Sequence, residues 1–245
     1  MSNDQYVQER PAWLIPLVVI AGVTIFSAAF VYYYFGPTPS ELLGLDPRAS
    51  ESTERVDVEI GEMRFLVPAN FTRYPLQRIG GLQEEIDLHA LLPELSPYSL
   101  RRREEFESNA EDSNAIHFKI FKTDDLLPAA RRLDDVYMRH LTNHQPLEGP
   151  YGLSLYNFAE TSGYRDQILL TADMEPDTFL LLCFNASEIV FSPTCTRTFH
   201  LQDNIAITYR YKRAHLEDWL RIDTALIALV QSFIVPHKED ETLDR

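Results

Sequence analysis

From Trp13 to Phe35 the chain runs 23 residues without a charge, and only Pro16, Gly22, Thr24 and Ser27 fall outside the apolar and aromatic set. At about 1.5 Å of rise per residue, a helix over this run is roughly 35 Å long, enough to cross a hydrocarbon core of about 30 Å with some tilt. A helix in water keeps a polar face, and this run offers none. The sequence therefore predicts one transmembrane helix at 13–35, surrounded by membrane lipid, with nearly everything else on one side of the bilayer.

The ends of the run suit the membrane interface: Trp13 stands at one, Tyr32, Tyr33 and Tyr34 at the other. Arg10 lies before the run, whereas Glu41, Asp46, Arg48 and Glu51 follow it. The positive-inside rule then favours a cytoplasmic N-terminus. On that reading residues 1–12 form a short cytoplasmic tail, and the protein is a single-pass protein of the inner (plasma) membrane with its C-terminal domain periplasmic or extracellular. A cleaved signal peptide is the competing reading, because Ser27-Ala28-Ala29 resembles a cleavage site. Cleavage there would leave a mature chain opening on exposed Phe30-Val-Tyr-Tyr-Tyr-Phe35, which argues for an uncleaved anchor. The small residues Ala21, Gly22, Ala28 and Ala29 recur about two turns apart, a spacing that lets a second transmembrane helix approach closely.

Past the anchor, 36–55 is rich in Pro, Ser and charge and reads as a linker. Residues 56–235 are long enough for one domain with a real core, and 236–245 form a charged tail. The formal net charge of −15 sets the domain against phosphate backbones, so no nucleic-acid partner is expected. The basic run Arg101-Arg102-Arg103 is answered at once by Glu104 and Glu105, as on a solvated helix face.

Alternation predicts paired strands over Val56–Val67 turning at Gly61, a half-wet strand over Ala115–Thr123, and further strands at Tyr151–Phe158, Gln167–Ala172, Thr178–Phe184, Thr194–Leu201 and Asn204–Tyr211. A short helical piece broken by Pro93 is expected over Ile86–Leu95, and another over Ser99–Ser108. Two amphipathic helices are expected. One carries Leu126, Ala130, Leu133, Tyr137 and Leu141 and is capped by Asp124 or Asp125; the other, His215–Ile234, carries Leu216, Trp219, Ile222, Leu226, Leu229, Val230 and Phe233 and is stopped by Pro236. Strands joined by short turns, with helices over one face, make an α+β fold with a mostly antiparallel sheet.

Cys183 and Cys195 lie in two strand-like runs flanking the turn-rich 185–193. An antiparallel pairing brings them into bridging range, and in an oxidising compartment they form a disulfide. If the domain were cytoplasmic they would be small core hydrophobes instead, so bridge and topology stand together.

The run Ile205-Ala-Ile-Thr-Tyr-Arg-Tyr-Lys-Arg-Ala-His-Leu-Glu-Asp-Trp-Leu-Arg-Ile-Asp-Thr-Ala-Leu226 resembles the end of uncharacterised single-span bacterial membrane proteins with an exported domain. Arg78-Ile-Gly-Gly81 with Asp87-Leu-His-Ala-Leu-Leu-Pro-Glu-Leu95 is similar to the same group. The resemblance implies a membrane-anchored domain and carries no active residues across.

The residues offer little chemistry. His140 and His144 are four apart, the spacing of two zinc ligands on one helix face, with Asp135 or His89 as a conceivable third, but the general-base Glu of HExxH is missing. Gly152-Leu-Ser154 supplies half a nucleophile elbow inside a strand, and there is neither a P-loop nor GxGxxG, so no cofactor is expected. Asn70-Phe-Thr72 and Asn185-Ala-Ser187 match a glycosylation triplet that matters only in a eukaryotic secretory pathway. Tyr209, Tyr211, Arg213 and Trp219 form an aromatic and basic cluster, either a partner-binding patch or the glue between the last helix and its sheet. The expected function is an interaction or accessory protein that docks an envelope or membrane protein. The alternatives are a membrane-tethered hydrolase or metal-dependent enzyme, and a ligand-binding ectodomain.

Overall fold

The computed structural model describes residues 13–174, 177–202 and 204–236. The expected cytoplasmic tail and nearly all of the charged C-terminal tail lie outside the described residues. The chain parts into two compact units between Leu45 and Asp46.

In the first unit, α1 (Leu14–Phe35) buries none of its residues and is long and apolar enough to cross a membrane. One turn, α2 (Pro39–Leu42), follows. A capping box starts it: the Thr38 hydroxyl accepts the Glu41 N–H at 3.2 Å, and the Glu41 carboxylate accepts the Thr38 N–H at 3.1 Å.

The second unit begins at Asp46, so the last ten residues of the expected linker belong to the domain. Their hydrogen bonds show why. The Arg48 N–H donates to the Arg73 carbonyl (2.7 Å), the Ala69 N–H to the Glu54 carbonyl (2.8 Å), and the Leu100 N–H to the Glu51 carboxylate (2.7 Å).

A small sheet has the order β2–β1–β3, built from β1 (Arg55–Ile60), β2 (Met63–Pro68) and β3 (Gly81–Leu82). The β1–β2 hairpin turns at Gly61, whose φ of +59° suits a residue without Cβ. The main sheet is antiparallel throughout and has eight strands: β4 (Glu85–Leu91), β5 (Ala115–Lys122), β6 (Leu147–Glu148), β7 (Ser154–Asn157), β8 (Gln167–Ala172), β9 (Phe179–Phe184), β10 (Thr194–Gln202) and β11 (Ile205–Lys212). Their order across the sheet is β4–β5–β11–β10–β9–β8–β7–β6. The fold is α+β.

Ile86–Leu95 is the largest departure from the expected elements. It is mostly the strand β4, in which Ile86, Leu88 and Ala90 alternate with Asp87 and His89. Those three apolar residues face inward, as do Ile116, Phe118 and Ile120 of β5 and Ile205 and Ile207 of β11. The helix α5 (Trp219–Phe233) and the small sheet cover this inner face, giving one continuous core. Trp219, Ile222, Leu226, Val230 and Phe233 make its buried stripe at three- and four-residue spacing. After α5 the chain extends along β2, with Ile234 bridging Phe65 and the Val235 N–H donating to the Arg64 carbonyl at 2.9 Å.

Two helical segments lie on the outer face, away from α5. At one end α3 (Arg103–Glu107) sets Phe106 with Tyr98 over Leu91 and Ala115. At the other, a helical segment opens as α4 (Ala129–Arg132), widens over Leu133–Tyr137 and tightens over Met138–His140, packing Tyr137 and Leu141 on Leu169 and Leu180. Asp124 and Asp125 do not cap it. The Asp177 carboxylate does, accepting from the N–H groups of Ala129 (3.0 Å) and Ala130 (3.4 Å).

Candidate functional site

Between these two covers the outer face of the main sheet is polar. His89 and His117 are directly opposite one another on β4 and β5, with ring centroids 6.5 Å apart. They line a cavity of about 460 Å³ together with Arg48, Arg73, Tyr98, Arg103, Phe106 and Glu107. The His89 ring lies parallel to Tyr98, and its centroid is 4.6 Å from that of Phe106. A second cavity of about 240 Å³ shares Arg73 and His117 with the first and reaches Lys119, Thr208 and Arg210.

Burial sets the electrostatics here. It lowers the His89 pKa to about 3, helped by the nearby His117, Arg73 and Arg78. Burial likewise lowers His117 to about 4, with Arg73, Arg210 and Lys212 adding repulsion. Both rings are therefore neutral at pH 7. His89 Nε2 and His117 Nδ1 are enclosed, and neither has a hydrogen-bond partner. The period-2 pattern of Glu85–Leu91 held this signal, because it puts His89 on the same wet face as His117; a helical reading of Ile86–Leu95 hides the pair.

The candidate patch residues divide. Tyr209, Tyr211 and Trp219 are buried, so they form no exposed patch. Trp219 packs on Phe179 with centroids 4.5 Å apart, and its indole N–H donates to the Tyr151 carbonyl at 3.2 Å. Tyr209 donates its hydroxyl to Asp223 at 2.8 Å, and Asp223 is ion-paired with Arg197 from β10.

Arg213 belongs to a different feature. Its N–H donates to the Pro193 carbonyl (2.9 Å) and its guanidinium to the Phe184 carbonyl (3.0 Å), so it braces both ends of the loop joining β9 to β10. Cys183 and Cys195 pair across those strands and form a disulfide at the loop's base. Lys212 Nζ donates to the Ser192 hydroxyl and to Asn109 Oδ1, each at 2.7 Å. On this braced stem Ile189 is 90% and Phe191 71% exposed.

His140 and His144 do not share a helix face, because the helix ends at His140 and Leu141 is extended. The His140 ring instead meets Tyr164, with centroids 5.5 Å apart. Among the described residues no group of three His, Cys, Asp or Glu side chains is placed to hold a metal ion. Ser154 lies in β7, within the sheet. Asn70, in the first glycosylation triplet, is buried.

No protein-family model matches the chain, and no curated protein matches it in sequence. Two solved structures share its fold. One is Smlt3025, an immunity protein of the Stenotrophomonas maltophilia type IV secretion system, at 15% identity over 77% of this chain and 98% of that one, with a TM-score of 0.56. The other is FrpD, an iron-regulated outer membrane lipoprotein of Neisseria meningitidis, at 12% identity over 77% of this chain and 96% of that one, with a TM-score of 0.50. At such identities the likeness is one of fold.

Proposed function

We propose that this chain is a single-pass membrane protein whose acidic domain, on the periplasmic or extracellular side, docks another envelope protein through the β9–β10 loop. The observation that carries this reading is the outward pair Ile189 and Phe191 on a loop held by a disulfide and by Arg213. Large apolar side chains on a mobile loop would lose much of their binding energy to ordering; a braced loop has already met that cost. Aromatic and Arg side chains are also those that dominate binding energy where interfaces are well packed. The fold neighbours, an immunity protein and an outer membrane lipoprotein, support an accessory or interaction role.

The test is in-membrane crosslinking of the full chain, comparing wild type with Phe191→Asp and with Ile79→Asp, an equally exposed control at 78%. The expected result is one protein adduct formed by wild type and Ile79→Asp and lost in Phe191→Asp. The melting temperature should stay nearly unchanged, since exposed substitutions shift stability by no more than about 0.5 kcal/mol. An adduct that survives Phe191→Asp would exclude the loop as the docking element.

A further inference from the structure

The cavity over His89 and His117 is separate from the docking loop and has its own chemistry. In a chain with 37 acidic and 22 basic residues, a cation is expected to find a carboxylate easily. Around this site the carboxylates are already taken: Glu107 pairs with Arg103, and Glu85 and Asp87 both lie within ion-pair distance of Lys119. Arg48, Arg73 and Arg210 make no ion pair among the described residues. Arg48 and Arg73 are held side by side by the backbone bond between them (2.7 Å), and both line the larger cavity. Beneath them sit two neutral imidazoles, each with an enclosed nitrogen that has no partner. His89 itself is only 7% exposed. A buried polar atom left unpaired is unfavourable, and both of these nitrogens belong to residues that line the cavity.

The walls narrow the class of ligand. Tyr98 and Phe106 line the same cavity as the two arginines, and a volume of about 460 Å³ is in the range of small-molecule pockets and larger than a bare inorganic ion fills. We propose that this cavity binds a small organic anion, its carboxylate or phosphate head between Arg48 and Arg73 and its apolar or aromatic body against Tyr98 and Phe106. Guanidinium forks match either head group with paired N–H donors, and a neutral imidazole supplies one N–H more.

The test is calorimetric titration of the full chain in neutral detergent with benzoate, phenyl phosphate, inorganic sulfate and benzylamine. Saturable binding of benzoate or phenyl phosphate is expected, with sulfate and benzylamine at least tenfold weaker. Arg73→Gln should weaken the bound anion at least tenfold. Arg48→Gln should weaken it too, and because Arg48 is exposed this second variant reports on the site without endangering the fold. Arg131→Gln, an exposed cation of α4, and Phe191→Asp should bind as wild type does. The proposal is overturned if neither aromatic anion saturates, if both arginine variants bind normally, or if benzylamine binds as tightly as benzoate. Sulfate binding as tightly as phenyl phosphate would overturn the assigned ligand class.

Discussion

Arg197 and Asp223 sit inside a core otherwise made of aliphatic and aromatic side chains, 8% and 1% exposed respectively. The Arg197 guanidinium pairs with Asp223 and lies over the rings of Phe179 (4.4 Å) and Phe199 (4.5 Å). Asp223 also accepts the Tyr209 hydroxyl, whose pKa burial raises far above its ordinary value, so Tyr209 remains a donor. Taking two charges out of water costs much of what their attraction returns, so the pair adds little net stability, while halving it leaves one charge stranded. Asp223→Ala should therefore cost about 3–5 kcal/mol in urea unfolding, and Arg197→Met combined with Asp223→Leu should recover most of that loss. An Asp223→Ala protein as stable as wild type would show that the guanidinium finds water or another partner. Both positions were legible by register: Arg197 shares the two-residue spacing of Cys195 and Phe199, and Asp223 falls four residues after Trp219. A search for apolar periodicity passes over them because it assigns every charge to the surface.

At the scale of elements, local signals and tertiary placement disagree in two instructive places. Glu85–Leu91 carries a clean two-residue period, yet the following Leu92-Pro93 invites a broken-helix reading; pairing with β5 decides for the strand. The cap of the 129–140 segment comes from Asp177, 48 residues beyond Ala129, which no local pattern reveals. β8 and β9 were legible from their apolar runs, and β10 and β11 from their two-residue alternation. The β4–β5 pairing has a measurable consequence through His89 and His117. Their ordinary pKa is 6.5, and burial lowers them to about 3 and about 4 in the folded protein. Below pH 6.5 the unfolded chain takes up protons that the folded one refuses, so stability falls as pH drops from 6.5 towards 4 and is level above it for this pair. Each ring contributes up to about 1.4 kcal/mol per pH unit in that window. His89→Phe should shrink the loss between neutral and mildly acid pH, read from urea midpoints. An unchanged slope would mean that His89 is protonated without penalty.

For the whole molecule, the long apolar helix was legible because composition alone decides it: all 22 residues of α1 are exposed, and none is charged. The proposed direction of insertion is read from Arg10 ahead of the apolar run. The cysteines supply an independent handle. Cys183 and Cys195 are paired at facing positions of β9 and β10, and closing a loop of their spacing stabilises by about 3 kcal/mol on the chain-entropy model. Such a bond persists in an oxidising space and is reduced in the cytosol. An exported domain should therefore show neither thiol free to alkylation until a reductant is added, and non-reduced peptide mapping should find the two joined. A C-terminal reporter active only outside the cytoplasm should work on the same chain, and N-terminal sequencing should show no mature start near Phe30. Free thiols together with a reporter active only in the cytoplasm would reverse the orientation. A chain beginning near Phe30 with the disulfide intact would keep the export and replace the anchor with a signal peptide.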